Sequence, residues 1–141
     1  MTDLFANPIS GRLGRTVCLL GLLVLACADS SKTAPDFADI DVAAAVALLQ
    51  GDRQVMVIDI RTPGEFVRGH IAGAENIDFR AADFAQRLGS LDRERPYLMH
   101  CASGGRSTRA LGQFSQLDFQ RIYHLRAGFI GWEAAGMDVK R

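Results

Sequence analysis

The sequence predicts an α/β domain, a mainly parallel sheet with helices on both faces, and three observations lead there. Apolar runs of strand length recur at VMVID (55–59), PYLMHC (96–101) and RIYHL (121–125). Between them lie stretches with apolar residues at helical spacing, and the links joining these segments are short. Alternating strands and helices over short links favour parallel pairing through helical crossovers, and unbroken apolar runs suit strands covered on both faces. A chain of 141 residues has room for one such core, and no internal repeat is visible.

The first segment stands outside that core. Arg12 and Arg15 precede TVCLLGLLVLA (16–26), eleven uncharged residues followed by small ones. The run is too short to span a bilayer as a helix, and the order basic, apolar, small is that of a secretory signal peptide, so residues 1–26 are expected to direct export. Val24 to Cys27 resembles a bacterial lipobox, which makes Cys27 the lipidated first residue of the mature chain; Ala26-Cys27-Ala28 also satisfies the rule for ordinary cleavage, which would release a soluble protein. The lipoprotein reading is preferred and implies a periplasmic or cell-envelope protein held to a bacterial membrane by lipid. Residues 27–36 are polar and small and read as a flexible tether, leaving 37–141 as the folded domain.

Within the domain, VAAAVALLQ (42–50) sets Val42, Val46 and Leu49 on one helical face, with Asp41 as N-cap and Gly51 as a stop. VMVID then reads as a central strand. Thr62 to Glu65 carries the Thr-x-x-Glu capping box with Pro63 at the first helical position, a specific helix start. Phe84, Leu88 and Leu91 fall on one side of the next helix, PYLMHC is a second buried strand, and Leu111, Phe114 and Leu117 line the helix after it. RIYHL gives a last strand, followed by a short helix around Trp132.

Composition narrows the function classes. Lys+Arg and Asp+Glu both number 16, and removing Asp3, Arg12 and Arg15 with the signal leaves 14 basic and 15 acidic side chains. Neither a nucleic-acid interface nor a polybasic membrane patch fits that balance. Cys18, Cys27 and Cys101 lack metal-type spacing, so neither a metal nor another cofactor is expected. Once Cys18 is removed and Cys27 lipidated, Cys101 is the single free thiol, with no internal partner in an oxidising compartment.

Cys101 ends a strand and opens the loop Ala102, Ser103, Gly104, Gly105, Arg106, Ser107. Ligands of open α/β sheets collect at such strand ends. Two glycines and two serines let the backbone curl with its N–H groups inward as an anion nest, and the helix expected from Ser107 or Thr108 points its positive end at the same place. These donors favour the thiolate, the nucleophilic form of cysteine. His100 is assigned to packing or hydrogen bonding rather than base catalysis, because adjacent strand residues face opposite ways.

These residues resemble the rhodanese-like sulfurtransferases. VMVIDIRTPGEFVRGHIAGAENI (55–77) is similar to the family's Asp-x-Arg strand end and the Glu-Phe and Gly-His-Ile segments after it; HCASGGRS resembles the active loop; LRAGFIGWEAAG resembles the closing Gly-Gly-x-x-x-Trp segment, with Ala127 in place of the first glycine. The resemblance implies a five-stranded parallel sheet and a Cys101 persulfide that carries sulfur from an anionic donor such as thiosulfate to cyanide or a thiol. It implies N–H support from Ala102 to Ser107, with Arg106 receiving the donor. Asp59 and Arg61 are expected to form a structural ion pair or a loop brace rather than to contact substrate, Glu65 to serve as the capping acid, His70 to fix a turn, and Trp132 to pack beneath the loop. Four residues separate Cys101 from Arg106, tighter than the five of related phosphatases, which favours sulfur transfer over a phosphatase or arsenate-reductase-like reaction. A non-enzymatic sulfur-carrying or binding module is the alternative from another class.

Overall fold

The computed structural model describes residues 36–141. The signal segment, the site of lipidation at Cys27 and all of the tether except Asp36 lie outside the described residues. Among the described residues, strands and helices alternate strictly: β1 (Asp36–Ile40), α1 (Val42–Gly51), β2 (Met56–Asp59), α2 (Pro63–Arg68), β3 (Glu75–Asn76), α3 (Phe84–Gly89), β4 (Pro96–His100), α4 (Gly105–Gln116), β5 (Arg121–Leu125) and α5 (Gly128–Ala134). The five strands form one parallel sheet in the order β1-β5-β4-β2-β3. The connection leaving β2 runs to one edge and the one leaving β4 runs the other way. The crevice between their carboxyl ends is therefore the switch point where such sheets bind ligands.

The expected helix starts form by local chemistry. The Asp41 side chain accepts a hydrogen bond from the Ala44 N–H at 2.8 Å, and the Thr62–Glu65 capping box closes with both reciprocal bonds in place. Boundaries differ from expectation in several places: β2 begins at Met56 and β4 ends at His100, each one residue inside the expected run, and Leu91 and Leu117 lie just past the ends of α3 and α4. Helix α1 continues through Gly51 and ends on Asp52, whose N–H reaches the Leu48 carbonyl. Asp36 belongs to β1 rather than to the tether; DFADI is too polar to signal a strand, yet its pairing with β5 and the packing of Phe37 hold it at the sheet edge. Helix α4 begins at Gly105, earlier than Ser107 or Thr108, because Gly104 turns left-handed (φ 90°) and its carbonyl takes up the Thr108 N–H.

Two apolar layers sandwich the sheet. Phe84 and Leu88 of α3 and Ala110 and Phe114 of α4 pack with Ile58, Tyr97, Met99 and Ile122 on one face. Ala45 of α1 and Phe129 and Trp132 of α5 pack with Val57, Leu98 and Leu125 on the other. Side chains along a strand alternate between these faces. That parity decides what the loop after β4 meets: Ile122 and, two residues on, His124 face α4.

Candidate active site

Cys101 follows β4 directly and is 1% exposed. Burial by itself raises its thiol pKa. The Ser107 hydroxyl and the backbone N–H groups of Ser107, Ser103 and Arg106 outweigh that burial, and the net shift is downward. The Ser107 oxygen lies 3.4 Å from Sγ. Of the loop N–H groups from Ala102 to Ser107, those of Ser103, Arg106 and Ser107 act on the sulfur.

Glycine geometry explains why the loop closes so tightly. A Cβ on Gly104 would collide with the Arg126 carbonyl, and one on Gly128 (φ 61°) would press on the carbonyls of Cys101 and Ala102. That close approach lets the start of α5 donate to the loop from below, Phe129 N–H to Cys101 at 2.8 Å and Ile130 N–H to Ala102 at 2.9 Å. Ala127, where the family pattern has a glycine, takes an ordinary right-handed φ of −72° and needs no glycine.

Asp59 and Arg61 form an ion pair at the end of β2. Both are buried, and Arg61 Nε lies 3.0 and 2.9 Å from the two Asp59 oxygens. The same guanidinium reaches Asp59 again at 2.5 Å and the Gly69 carbonyl at 2.7 Å, and stacks 3.9 Å above the Phe129 ring. Asn76 ties the strand end by donating to the carbonyls of Asp59 and Arg61. Trp132 is buried in the α5 face, its indole N–H on the Asp138 carbonyl. The His70 ring sits 3.1 Å from the Phe66 carbonyl and stacks on Phe66 at the expected turn.

Arg106 has a partner that the local sequence does not show. Its two terminal nitrogens are held by the Glu65 carboxylate at 2.8 and 2.6 Å, so the guanidinium clamps the loop to α2 instead of presenting a free cation. The Arg106 hydrogen bond pulls the Glu65 carboxyl down to about 2. Glu65 therefore does more than cap its own helix, a role invisible to a local motif because its partner is 41 residues away.

His100 occupies the opposite face from Sγ, as strand alternation requires. Its ring stacks on Phe129, and burial pushes its pKa down. Nδ1 lies 3.1 Å from the Cys101 carbonyl, while Nε2 has no hydrogen-bond partner among the described residues. A cavity of about 290 Å³ opens beside Ala102, edged by Arg61, Arg68, Phe129 and Ile130. No cluster of three or more potential metal-binding side chains occurs among the described residues.

Two residues near the loop escaped the sequence reading. The Ser107 oxygen is 2.8 Å from His124 Nε2, and His124 Nδ1 is 2.7 Å from Asp39 Oδ1. Strand parity in RIYHL was the signal that would have placed His124 on the α4 face with Ile122.

The profile of the Rhodanese-like domain family matches residues 42–135, from α1 to the end of α5. The chain belongs to this family. Among curated relatives, it is 30% identical over 91 residues to a sulfurtransferase of Allochromatium vinosum, covering 64% of this chain and 83% of that one. It is 37% identical over 79 residues to the thiosulfate sulfurtransferase GlpE of Pseudomonas aeruginosa, covering 55% and 69% respectively. The chain spans 64% of the length of the uncharacterized protein YqhL of Bacillus subtilis, at 35% identity and 58% coverage of this chain. The crystal structure of a rhodanese-related protein from Thermoplasma volcanium superposes with a TM-score of 0.65 at 28% identity, covering 73% of this chain and 97% of that one. The family's Asp-x-Arg, active-loop and closing segments thus fall on the β2 end, the β4–α4 loop and the start of α5.

Proposed function

We propose that this rhodanese-like chain transfers sulfane sulfur through a Cys101 persulfide. The observation that carries this reading is the Cys101 sulfur itself, buried yet supplied with one hydroxyl and three N–H donors that favour its thiolate. In the first half-reaction the thiolate attacks the outer sulfur of a donor such as thiosulfate. A bond from Sγ to that sulfur forms as the donor's own S–S bond breaks, and sulfite departs with the electron pair. In the second, cyanide or an acceptor thiolate attacks the outer persulfide sulfur, giving thiocyanate or a new persulfide and returning the Cys101 thiolate. Donors that hold the anion at the start also hold it as the leaving group, so both steps draw on the same preorganised loop.

Sulfurtransferases among the relatives support this chemistry, and the four-residue spacing to Arg106 favours it over phosphate-ester hydrolysis. Treating the purified domain with thiosulfate should add one sulfur atom to Cys101, visible by mass spectrometry, removable by cyanide and missing in Cys101→Ser. Lack of any sulfur gain from thiosulfate or other sulfane donors would leave a binding module as the reading. Export and lipidation at Cys27 complete the proposal on the sequence pattern alone. Fatty-acid labelling that persists in Cys27→Ser would remove the lipid anchor from it.

A further inference from the structure

The Ser107 hydroxyl has one proton and three neighbours able to take it: Cys101 Sγ at 3.4 Å, the Gly104 carbonyl at 2.9 Å and His124 Nε2 at 2.8 Å. The last can also donate, and which it does depends on the charge of the ring. A carboxylate only accepts, so the Asp39 contact fixes a proton on His124 Nδ1. In a neutral ring Nε2 is then a bare acceptor and draws the Ser107 proton toward itself, away from Sγ. In the imidazolium both nitrogens donate: Nε2–H points at the Ser107 oxygen, and the Ser107 proton is left to the sulfur and the Gly104 carbonyl, which raises the share that reaches Sγ.

We infer that His124, braced by Asp39, is a positioning residue that acts through Ser107 to set how much of Cys101 is thiolate. The fold places the parts in line. Asp39 and His124 are register partners in β1 and β5, so both lie on the α4 face, and Ser107 in the first turn of α4 bridges from His124 to the sulfur. His124 is nearly buried, whereas the Asp39 side chain is 53% exposed, which connects the sequestered sulfur to the surface by three side chains. The groups facing the ring are Asp39 from β1, with Arg126 of the β5 end 3.7 Å from that carboxylate, and Ser107 from α4 with Cys101 beyond it. Its β4 register partner, Met99, carries no charge.

This inference rests on Cys101 as the nucleophile of the proposed function, but its test needs no sulfur donor. The rate of iodoacetamide alkylation of Cys101 from pH 5 to 9 reads the thiolate directly. His124→Leu should slow alkylation about tenfold at pH 6, a hydrogen bond to a charged group being worth about one order of magnitude or more. The variant should rejoin the wild type near pH 9, where thiolate forms without help. In a Ser107→Ala background the same substitution should change little, because the bridge is gone. Asp39→Asn, at the half-exposed strand edge, should shift the low-pH rate in the same direction and guards against misfolding of the His124 variant. A His124→Leu profile that overlays the wild type, a loss equal at every pH, or an undiminished effect without Ser107 would each overturn the inference. Normal alkylation behaviour with no sulfur transfer would instead sink the proposed function and leave the relay standing.

Discussion

The two flanks of the Cys101 loop use similar polar residues and are closed to different degrees. On the β2 flank, Asp59 and Arg61 are buried and multiply bonded, with the guanidinium also held by Gly69 and the Phe129 ring. On the β5 flank a single hydroxyl proton faces three acceptors, and the chain ends at a half-exposed carboxylate. A buried charge pair persists only when its bonding is complete, so the first flank sets geometry. An undersupplied hydroxyl can redistribute its proton without moving heavy atoms, so the second sets reactivity.

Breaking the closed flank should have the largest effect. Asp59→Asn leaves the Arg61 guanidinium buried without its counter-charge, a loss of about 3–5 kcal/mol that urea unfolding would read as a large fall in midpoint. Asp39→Asn on the open flank should cost less than about 1 kcal/mol, since that carboxylate is solvated. Equal losses from the two would erase the distinction between the flanks.

Gly104 joins the loop to the β5 side. With φ at 90° and the Arg126 carbonyl where a Cβ would stand, Gly104→Ala combines left-handed strain with a backbone collision that no rotamer relieves. A loss of about 2–4 kcal/mol is expected, again by urea titration.

The clamp between Glu65 and Arg106 lies between these extremes, part-buried and bidentate. Folding lowers the Glu65 carboxyl from 4.5 to about 2, the unfolded chain binding the proton more tightly. The stabilisation is therefore full above about pH 4.5 and is lost as pH falls through about 2. Solvent screening holds it to about 1–2 kcal/mol. Glu65→Gln should lower stability at neutral pH by that amount and flatten the acid limb of the stability profile; an unchanged acid limb would show that the clamp contributes nothing to folding.

Much of this was legible because it is local. The capping box at Thr62, the apolar run at β4 and the glycine loop each sit within a few residues, where periodicity and helix chemistry operate. Strand β1 was not, since DFADI acquires its strand character from pairing with β5 rather than from its own side chains. The same limit hid His124. Its link to Ser107 spans 17 residues and its link to Asp39 spans 85, and only the strand order β1-β5-β4 brings the three together. The pairing of Arg106 with Glu65 was equally hidden, because the two lie 41 residues apart and only the fold brings them together.

The smallest expected effect separates two explanations of the loop's tightness. Gly104 and Gly105 are adjacent and look equivalent in sequence, yet a methyl group on Gly105 meets nothing within 4 Å, and its φ is not in the left-handed region. Gly105 is the first residue of α4, where alanine fits the backbone and restricts the unfolded chain. Gly105→Ala should therefore raise stability by about 0.5 kcal/mol. If crowding around the whole loop demanded small residues, both substitutions would lower the urea midpoint; if one backbone angle and one carbonyl contact do, the midpoints should move in opposite directions. A fall in both would relocate the constraint from Gly104 to the loop as a unit.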